Sequence, residues 1–325
     1  RRGWPLMGTA LTYLWRALLG LTLIIALIIL WLGWSNRDIP VEDLEQRYGG
    51  DNLQVLDVDG VQLRYKVQGK GPPLVLLHSH FYNMRQWDSW VEVLADRFTL
   101  IRYDLTSHGL TGPDPSEDYS RERGTDLLRA LLKHLELDEV AIAGSSTGGA
   151  LAWYYAARFP EQVSALVLIN APGMPRVTNK YMETPLPDWF GHVLYLLPES
   201  LFRPFLEAPV VDKSLITDEL LEEFHLMYRR EGNRMAEFHR LRAWERGDIT
   251  PMLAKITAPV LILWGEENPQ LPVAHAEQYA QALRNARYLK IHIYPDIGHV
   301  IPLEAPRQSA GDTAKFLEAL PDDPT

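Results

Sequence analysis

Gly144-Ser145-Ser146-Thr147-Gly148 decides the reading of this chain. It has the pattern G-x-S-x-G. Val140-Ala141-Ile142-Ala143 before it is a short apolar segment of strand type, and Gly149-Ala150-Leu151-Ala152-Trp153 after it opens a run of good helix formers. A strand, a tight turn and a helix are the setting in which this pattern holds one side chain, Ser146, in a strained conformation at a sheet's carboxyl edge. The small neighbours let strand and helix approach each other. The helix N-terminus then offers backbone N–H groups to developing negative charge. Ser145 reads as a small elbow residue without a chemical role. A Gly/Ser loop without chemistry fits the bare motif equally well, so the surrounding sequence has to separate the two readings.

The partners of such a serine follow in order. Tyr294-Pro295-Asp296-Ile297-Gly298-His299 comes after the apolar run Tyr288–Ile293, which puts His299 on a loop just past a strand. Upstream, Leu74–Leu77 reads as a fully buried strand running into His78-Ser79-His80-Phe81, and Thr99–Asp104 leads into Leu105-Thr106-Ser107-His108-Gly109-Leu110-Thr111-Gly112. From about Leu53 to Leu320 the chain resembles the α/β-hydrolases, in particular the branch that cleaves esters and C–C bonds. The resemblance rests on the elbow, the loop at His78, the D-x-x-x-H-G-x-[ST] loop at Asp104, and G-H-x-x-x-x-E-x-P from Gly298 to Pro306. It implies an α/β-hydrolase fold: a mostly parallel sheet flanked by helices, with a helical lid. It further implies Ser146 as nucleophile, His299 as base, and the backbone N–H groups of His80 and Thr147 as the oxyanion hole.

Two positions depart from the family pattern. Ser79 stands where the oxyanion loop usually has glycine. The acid seat after the seventh strand falls in Trp264-Gly265-Glu266-Glu267-Asn268-Pro269-Gln270-Leu271-Pro272, and it holds Asn268. An asparagine accepts a hydrogen bond from the imidazole but brings no charge to stabilise the imidazolium. Glu267 is adjacent and is the rival for that role. The alternative seat used by some relatives, after the sixth strand, is again an asparagine, Asn170.

Composition narrows the rest. The 325 residues, 46% of them hydrophobic, suffice for one sizeable domain with an insertion. The absence of cysteine excludes disulfides, zinc–thiolate sites and thiol catalysis. The net charge of −10, with no stripe of Lys and Arg, argues against a nucleic-acid partner. Nothing in the motifs calls for a cofactor or a metal.

Ala17 to Asn36 carries no charge, and Leu18 to Trp34 is rich in Leu and Ile. About twenty such residues cross a hydrocarbon core of about 30 Å. Tyr13, Trp15, Trp31 and Trp34 sit near the ends, as interfacial aromatics do. A cleaved signal peptide is the rival reading, but no small-x-small site follows in Trp31-Leu32-Gly33-Trp34-Ser35. The expectation is a retained single-pass anchor that contacts the bilayer through residues 11–35. Arg1, Arg2 and Arg16 precede the span, whereas Asp38, Glu42, Asp43 and Glu45 outweigh Arg37 after it. This places the N-terminus in the cytoplasm and the catalytic domain outside, in the periplasm of a Gram-negative cell.

The expected organisation is a tail and anchor over 1–36, a polar linker over 37–53 with a short helix at Val41–Tyr48, hydrolase core over 54–171, a helical lid over 172–256, and core again over 257–325. Asp59-Gly60 between Gln54–Val58 and Val61–Val67 signals a type I′ hairpin. Strand-type and helix-type segments then alternate until Pro172, where a long aromatic stretch begins that includes Trp189, Phe202, Phe224 and Trp244. Such a lid both packs on the core and roofs a substrate pocket. His78, His108 and Asp104 read as loop supports, and His225, His239 and His275 as solvated. For His80, substrate contact and simple packing weigh equally. Three functions remain: a membrane-anchored serine hydrolase acting on a small apolar ester, an inactive accessory subunit of a membrane-protein complex, and a C–C bond hydrolase of ring-cleavage products.

Overall fold

The computed structural model describes residues 5–174, 186–243 and 247–320. Arg1, Arg2 and Trp244, and the parts of the expected lid at 175–185 and 244–246, lie outside the described residues. Eight strands form one sheet: β1 (Gln54–Val58), β2 (Val61–Gly69), β3 (Pro73–Leu77), β4 (Thr99–Tyr103), β5 (Val140–Ser145), β6 (Val163–Ile169), β7 (Val260–Gly265) and β8 (Leu289–Tyr294). Their order is β1-β2-β4-β3-β5-β6-β7-β8. β1, β2 and β4 pair antiparallel, and every other pair is parallel. The β1–β2 hairpin turns on Asp59 (φ 53°) and Gly60 (φ 86°), the two positive angles that a type I′ turn demands.

The apolar runs of the central strands feed two cores at once, because alternate side chains leave a strand on opposite faces. Val75 and Leu77 of β3 join one cluster, whereas Leu74 and Leu76 join the other. The first lies under helices Arg121–His134, Thr147–Arg158 and Ala274–Ala282 and includes Trp153, Trp264 and Tyr279. The second lies under Asp88–Leu94 and Pro306–Glu318, where the Trp90 indole donates to Ser309 Oγ at 3.1 Å.

Between β6 and β7 the described chain forms helices Asp188–Val193, Phe202–Glu207, Asp218–Tyr228, Asn233–Arg242 and Thr250–Leu253. Two of the three histidines expected in solvent are buried instead: His225, in helix Asp218–Tyr228, and His275, beside the Trp264 ring. Their amphipathic helices turn the histidine toward the core, and desolvation pushes the His225 imidazole down to about 4. His239 is half-buried, 3.8 Å from Glu117.

Helix Pro5–Ser35 contains the apolar span Thr9–Ser35, whose most apolar 18 residues have a mean hydropathy of 2.5 and are not buried. At about 1.5 Å per residue it is long enough to cross a membrane. The segment after it packs tightly. Val41–Leu44 is helical and continues as a wider π turn over Glu45–Gly49, and Leu44 packs with Leu110 and Met227. Ile39 N donates to Arg229 O at 2.8 Å, and Glu231 N donates to Ile39 O at 2.9 Å. Arg234, 1% exposed, donates to Asn36 O at 2.6 Å, pairs with Asp38 and lies over the Tyr195 ring. The foot of the apolar helix is thereby fixed to the helices between β6 and β7.

Candidate active site

β5 ends at Ser145, Ser146 takes φ 50° and ψ −118°, and helix Thr147–Arg158 begins at once. A non-glycine residue at this angle is strained and persists only where its surroundings enforce it. Here Ser146 N donates to Ile169 O at 2.9 Å. Glycine on both sides is obligatory: a Cβ at Gly144 would lie 2.3 Å from Gly148 O, and one at Gly148 would lie 2.2 Å from Leu77 O. These contacts are with backbone that has no room to yield. They explain in steric terms why the motif reads G-x-S-x-G.

Ser146 Oγ lies 2.8 Å from Nε2 of His299, and Nδ1 of the same ring lies 3.2 Å from Oδ1 of Asn268. That oxygen also accepts from the backbone N–H groups of Gln270 (3.0 Å) and Leu271 (3.1 Å). Two backbone donors identify it as the amide oxygen, so the imidazole presents Nδ1–H to Asn268 and a bare Nε2 to the serine hydroxyl. Asn268 Nδ2 is buried with no partner among the described residues. Glu267 is exposed, its backbone N donating to Ile297 O at 3.1 Å.

The other asparagine has a different task. Asn170 accepts from Gly265 N at 3.1 Å and donates to His299 O at 2.7 Å, bracing the histidine loop through its backbone. Glu304 does the same from below, accepting from Gly298 N and Val300 N at 3.0 Å each. The segment between β6 and β7 contributes too, since His299 N donates to Pro209 O at 2.7 Å.

The end of β3 is stitched to the elbow. Gly148 N donates to His78 O at 3.1 Å, and Ser79 Oγ donates to Ser145 Oγ at 2.9 Å. Ser79 thus uses the hydroxyl that distinguishes it from the family's glycine, and Ser145 gains a structural role. His78 accepts from Leu105 N at 2.9 Å through Nε2 and donates to Ser79 O at 2.8 Å through Nδ1. Burial pushes this imidazole down to about 4. Asp104 accepts from Met84 N and Leu110 N at 2.6 Å each, and burial raises its carboxyl to about 6 against the pull of those bonds. His78 and Asp104 are therefore loop supports. Buried His108 joins them, its Nδ1 lying 3.0 Å from Thr106 O.

His80 lies in the loop after β3 and Thr147 is the first residue of the helix after Ser146, and the backbone N–H of neither finds an acceptor among the described residues. The His80 imidazole stacks on Phe81 at 3.9 Å and reaches Glu237 Oε1 at 2.6 Å. Glu237 and its partner Arg240 are invisible as site residues in the sequence, where a Glu–Arg pair three apart reads as a surface ion pair. His80, His108 and Glu237 have the mutual spacing of a metal triad, with ligand atoms within 4.8 Å. Arg240 already occupies both Glu237 oxygens, at 2.7 and 2.8 Å, so the carboxylate is committed to an ion pair.

Two cavities flank this cluster. The larger, with an empty volume of about 730 Å³ including its mouth, is lined by Leu105, Leu127, Leu151, Tyr119, Arg121 and Thr147. The smaller, about 340 Å³, is lined by Phe81, Phe202, Phe224, Met227 and Tyr228. His108 borders both, and Ser146 lines neither. The walls are mainly apolar, suiting a hydrocarbon-bearing ligand.

Residues 72–306 match the sequence model of the alpha/beta hydrolase fold family, so the chain belongs to that family and is a hydrolase of it. An uncharacterised protein of Mycobacterium tuberculosis is 30% identical over 296 residues, covering 86% of this chain and 82% of that protein. The 2-hydroxy-6-oxo-6-(2'-aminophenyl)hexa-2,4-dienoic acid hydrolase of Metapseudomonas resinovorans is 24% identical over 276 residues, covering 82% and 91%. Among solved structures, a bacterial membrane phospholipase A superposes with a TM-score of 0.70 at 24% identity, covering 93% of this chain and 98% of that one.

Proposed function

We propose that the protein is a membrane-anchored serine hydrolase of apolar carboxylic esters. The observation that carries this reading is His299 held between Ser146 Oγ, at 2.8 Å, and Asn268 Oδ1, at 3.2 Å. Ser146 Oγ attacks the ester carbonyl carbon as His299 Nε2 takes its proton. The N–H groups of His80 and Thr147 donate to the oxyanion, each worth about 3 kcal/mol of barrier. His299 then gives the proton to the departing alkoxide, and a water activated in the same way releases the acid and frees Ser146. Asn268 holds the imidazole tautomer. Lacking charge, it stabilises the imidazolium less than a carboxylate does, which makes turnover slow.

The apolar span Thr9–Ser35 is the anchor, with the N-terminus cytoplasmic and the catalytic domain outside. The charge asymmetry between Arg16 and the acidic segment Asp38–Glu45 supports that orientation. The fixed junction at Arg234 supports a roof held close to the bilayer, where apolar esters partition. Protease added to intact spheroplasts is then expected to digest the domain.

Asn268 favours a second reading, in which the chain is a weak or inactive accessory subunit of a membrane complex. C–C bond hydrolysis of ring-cleavage products would use the same residues, and the dienoic acid hydrolase relative supports keeping it as the alternative chemistry. Steady-state assays on short-chain aryl esters and on a ring-cleavage dienoate, with Ser146→Ala as control, separate the three. Ester turnover lost in the variant supports the proposal, turnover of the dienoate alone supports the alternative chemistry, and no turnover supports the accessory role.

A further inference from the structure

We infer that Glu237 is a positioning residue, which aligns the oxyanion-binding amide of His80 from the helices between β6 and β7. The inference rests on the reading of Ser146 as nucleophile. Glu237 is buried on helix Asn233–Arg242, and its Oε1 accepts from His80 Nε2 at 2.6 Å. Arg240, one turn on, closes a two-point bond on both carboxylate oxygens and holds the carboxyl well below its ordinary range. The carboxylate is therefore charged when it meets the His80 ring.

A buried ion pair of this kind contributes little net stability, because desolvation offsets its attraction. Its consequence here is geometric. The helix that carries Glu237 is pinned at its start, where Asn233 Nδ2 donates to Gly109 O at 3.1 Å and to Met227 O at 2.8 Å, and where Arg234 grips the chain at Asn36. It is a fixed platform. The loop it holds needs fixing: Phe81, next to His80, sits at φ 66°, a conformation that a bulky residue keeps only when its neighbours impose it. The clamped and stacked His80 ring is such a neighbour. Its own backbone N–H has no acceptor among the described residues. Across the same planar peptide unit, Ser79 O accepts from His78 Nδ1 at 2.8 Å and from Tyr82 N at 3.1 Å, which holds one end of the amide; the ring clamped by Glu237 holds the other. The same cluster walls off the two cavities, with Arg240 on the larger and Glu237 on the smaller.

The test uses the full-length chain in detergent micelles, with a short-chain aryl ester for kinetics and an alkyl boronic acid as probe. The boronate bonded to Ser146 places an oxygen where the oxyanion forms. Glu237→Ala is expected to lower kcat about 10- to 100-fold with KM changed less than about threefold, and to weaken boronate binding by a similar factor. Glu237→Gln, which keeps an acceptor for His80, is expected to recover most of both losses. His80→Ala breaks the contact from the loop side while leaving the Glu237–Arg240 pair intact, so it reads the same loss even where Glu237→Ala does not fold. Combined with Glu237→Ala it should add nothing further, since Glu237 acts through His80. Unchanged kcat and boronate affinity in folded Glu237→Ala overturn the inference, as do losses that multiply in the double variant. Wild-type protein that neither turns over ester nor binds boronate removes the parent reading, and this inference with it.

Discussion

Asn268 Oδ1 and His299 Nδ1 lie 3.2 Å apart, and the oxygen is held there by two backbone donors, from Gln270 and Leu271. The seat is built for an oxygen, and only the charge is missing. Aspartate would place a carboxylate on the same two N–H groups and remove the unpartnered Nδ2. Asn268→Asp should therefore raise kcat by about 10²-fold or more, with KM little changed, because the charge acts on the imidazolium formed in the transition state. Glu267→Gln should leave kcat within about twofold, because that side chain faces solvent. Steady-state kinetics with a short-chain aryl ester checks both. Loss of activity in Glu267→Gln would reassign the acid.

His78 gives a pH signature. Its imidazole lies at about 4 in the folded chain and at about 6.5 when unfolded, so folding is favoured by keeping it neutral. That stability is complete above pH 6.5 and is lost as pH falls toward 4, on the order of 3 kcal/mol in all. Asp104, raised to about 6, contributes the opposite slope over its own range, from its ordinary value up to that figure. A difference measurement isolates the histidine. Relative to wild type, His78→Gln should gain stability steadily from pH 7 to pH 4 in urea unfolding. A stability difference that does not vary with pH would contradict the neutral-histidine account.

Arg234 joins the foot of the apolar helix to helix Asn233–Arg242 across nearly two hundred residues of sequence. Arg234→Met removes its bond to Asn36 O and its pair with Asp38, and leaves the carbonyl without that buried donor. Proteinase K should then cut between residues 36 and 40 at least about tenfold faster than in wild type, since local opening there costs less free energy. Equal cleavage rates would show that the backbone pairing of Ile39 holds the junction alone.

Much of this was legible from local pattern. Continuous apolar runs gave away the parallel strands, Asp59-Gly60 the hairpin, and the glycines around Ser146 the elbow whose close contacts admit no Cβ. Long-range pairings were not legible. Glu237 and Arg240 look like one more exposed pair on a helix until His80 arrives from a strand end 157 residues away. Residues 37–53 read as a polar linker because Ile39, Val41 and Leu44 are too few to form a pattern, yet each finds an apolar partner. His225 and His275 were read as solvated because short helices of mixed composition do not declare their inner face. Asn170 resembled a second acid seat, and its amide braces the backbone of the histidine loop instead.

The central claim is that Ser146 is a nucleophile activated by His299. Intact-mass analysis of the full-length protein after treatment with a fluorophosphonate tests it most directly. One phosphonyl adduct, mapped to Ser146 and absent from both Ser146→Ala and His299→Ala, is the expected result. A folded wild-type chain that stays unmodified, or is modified elsewhere with Ser146 untouched, would contradict the account.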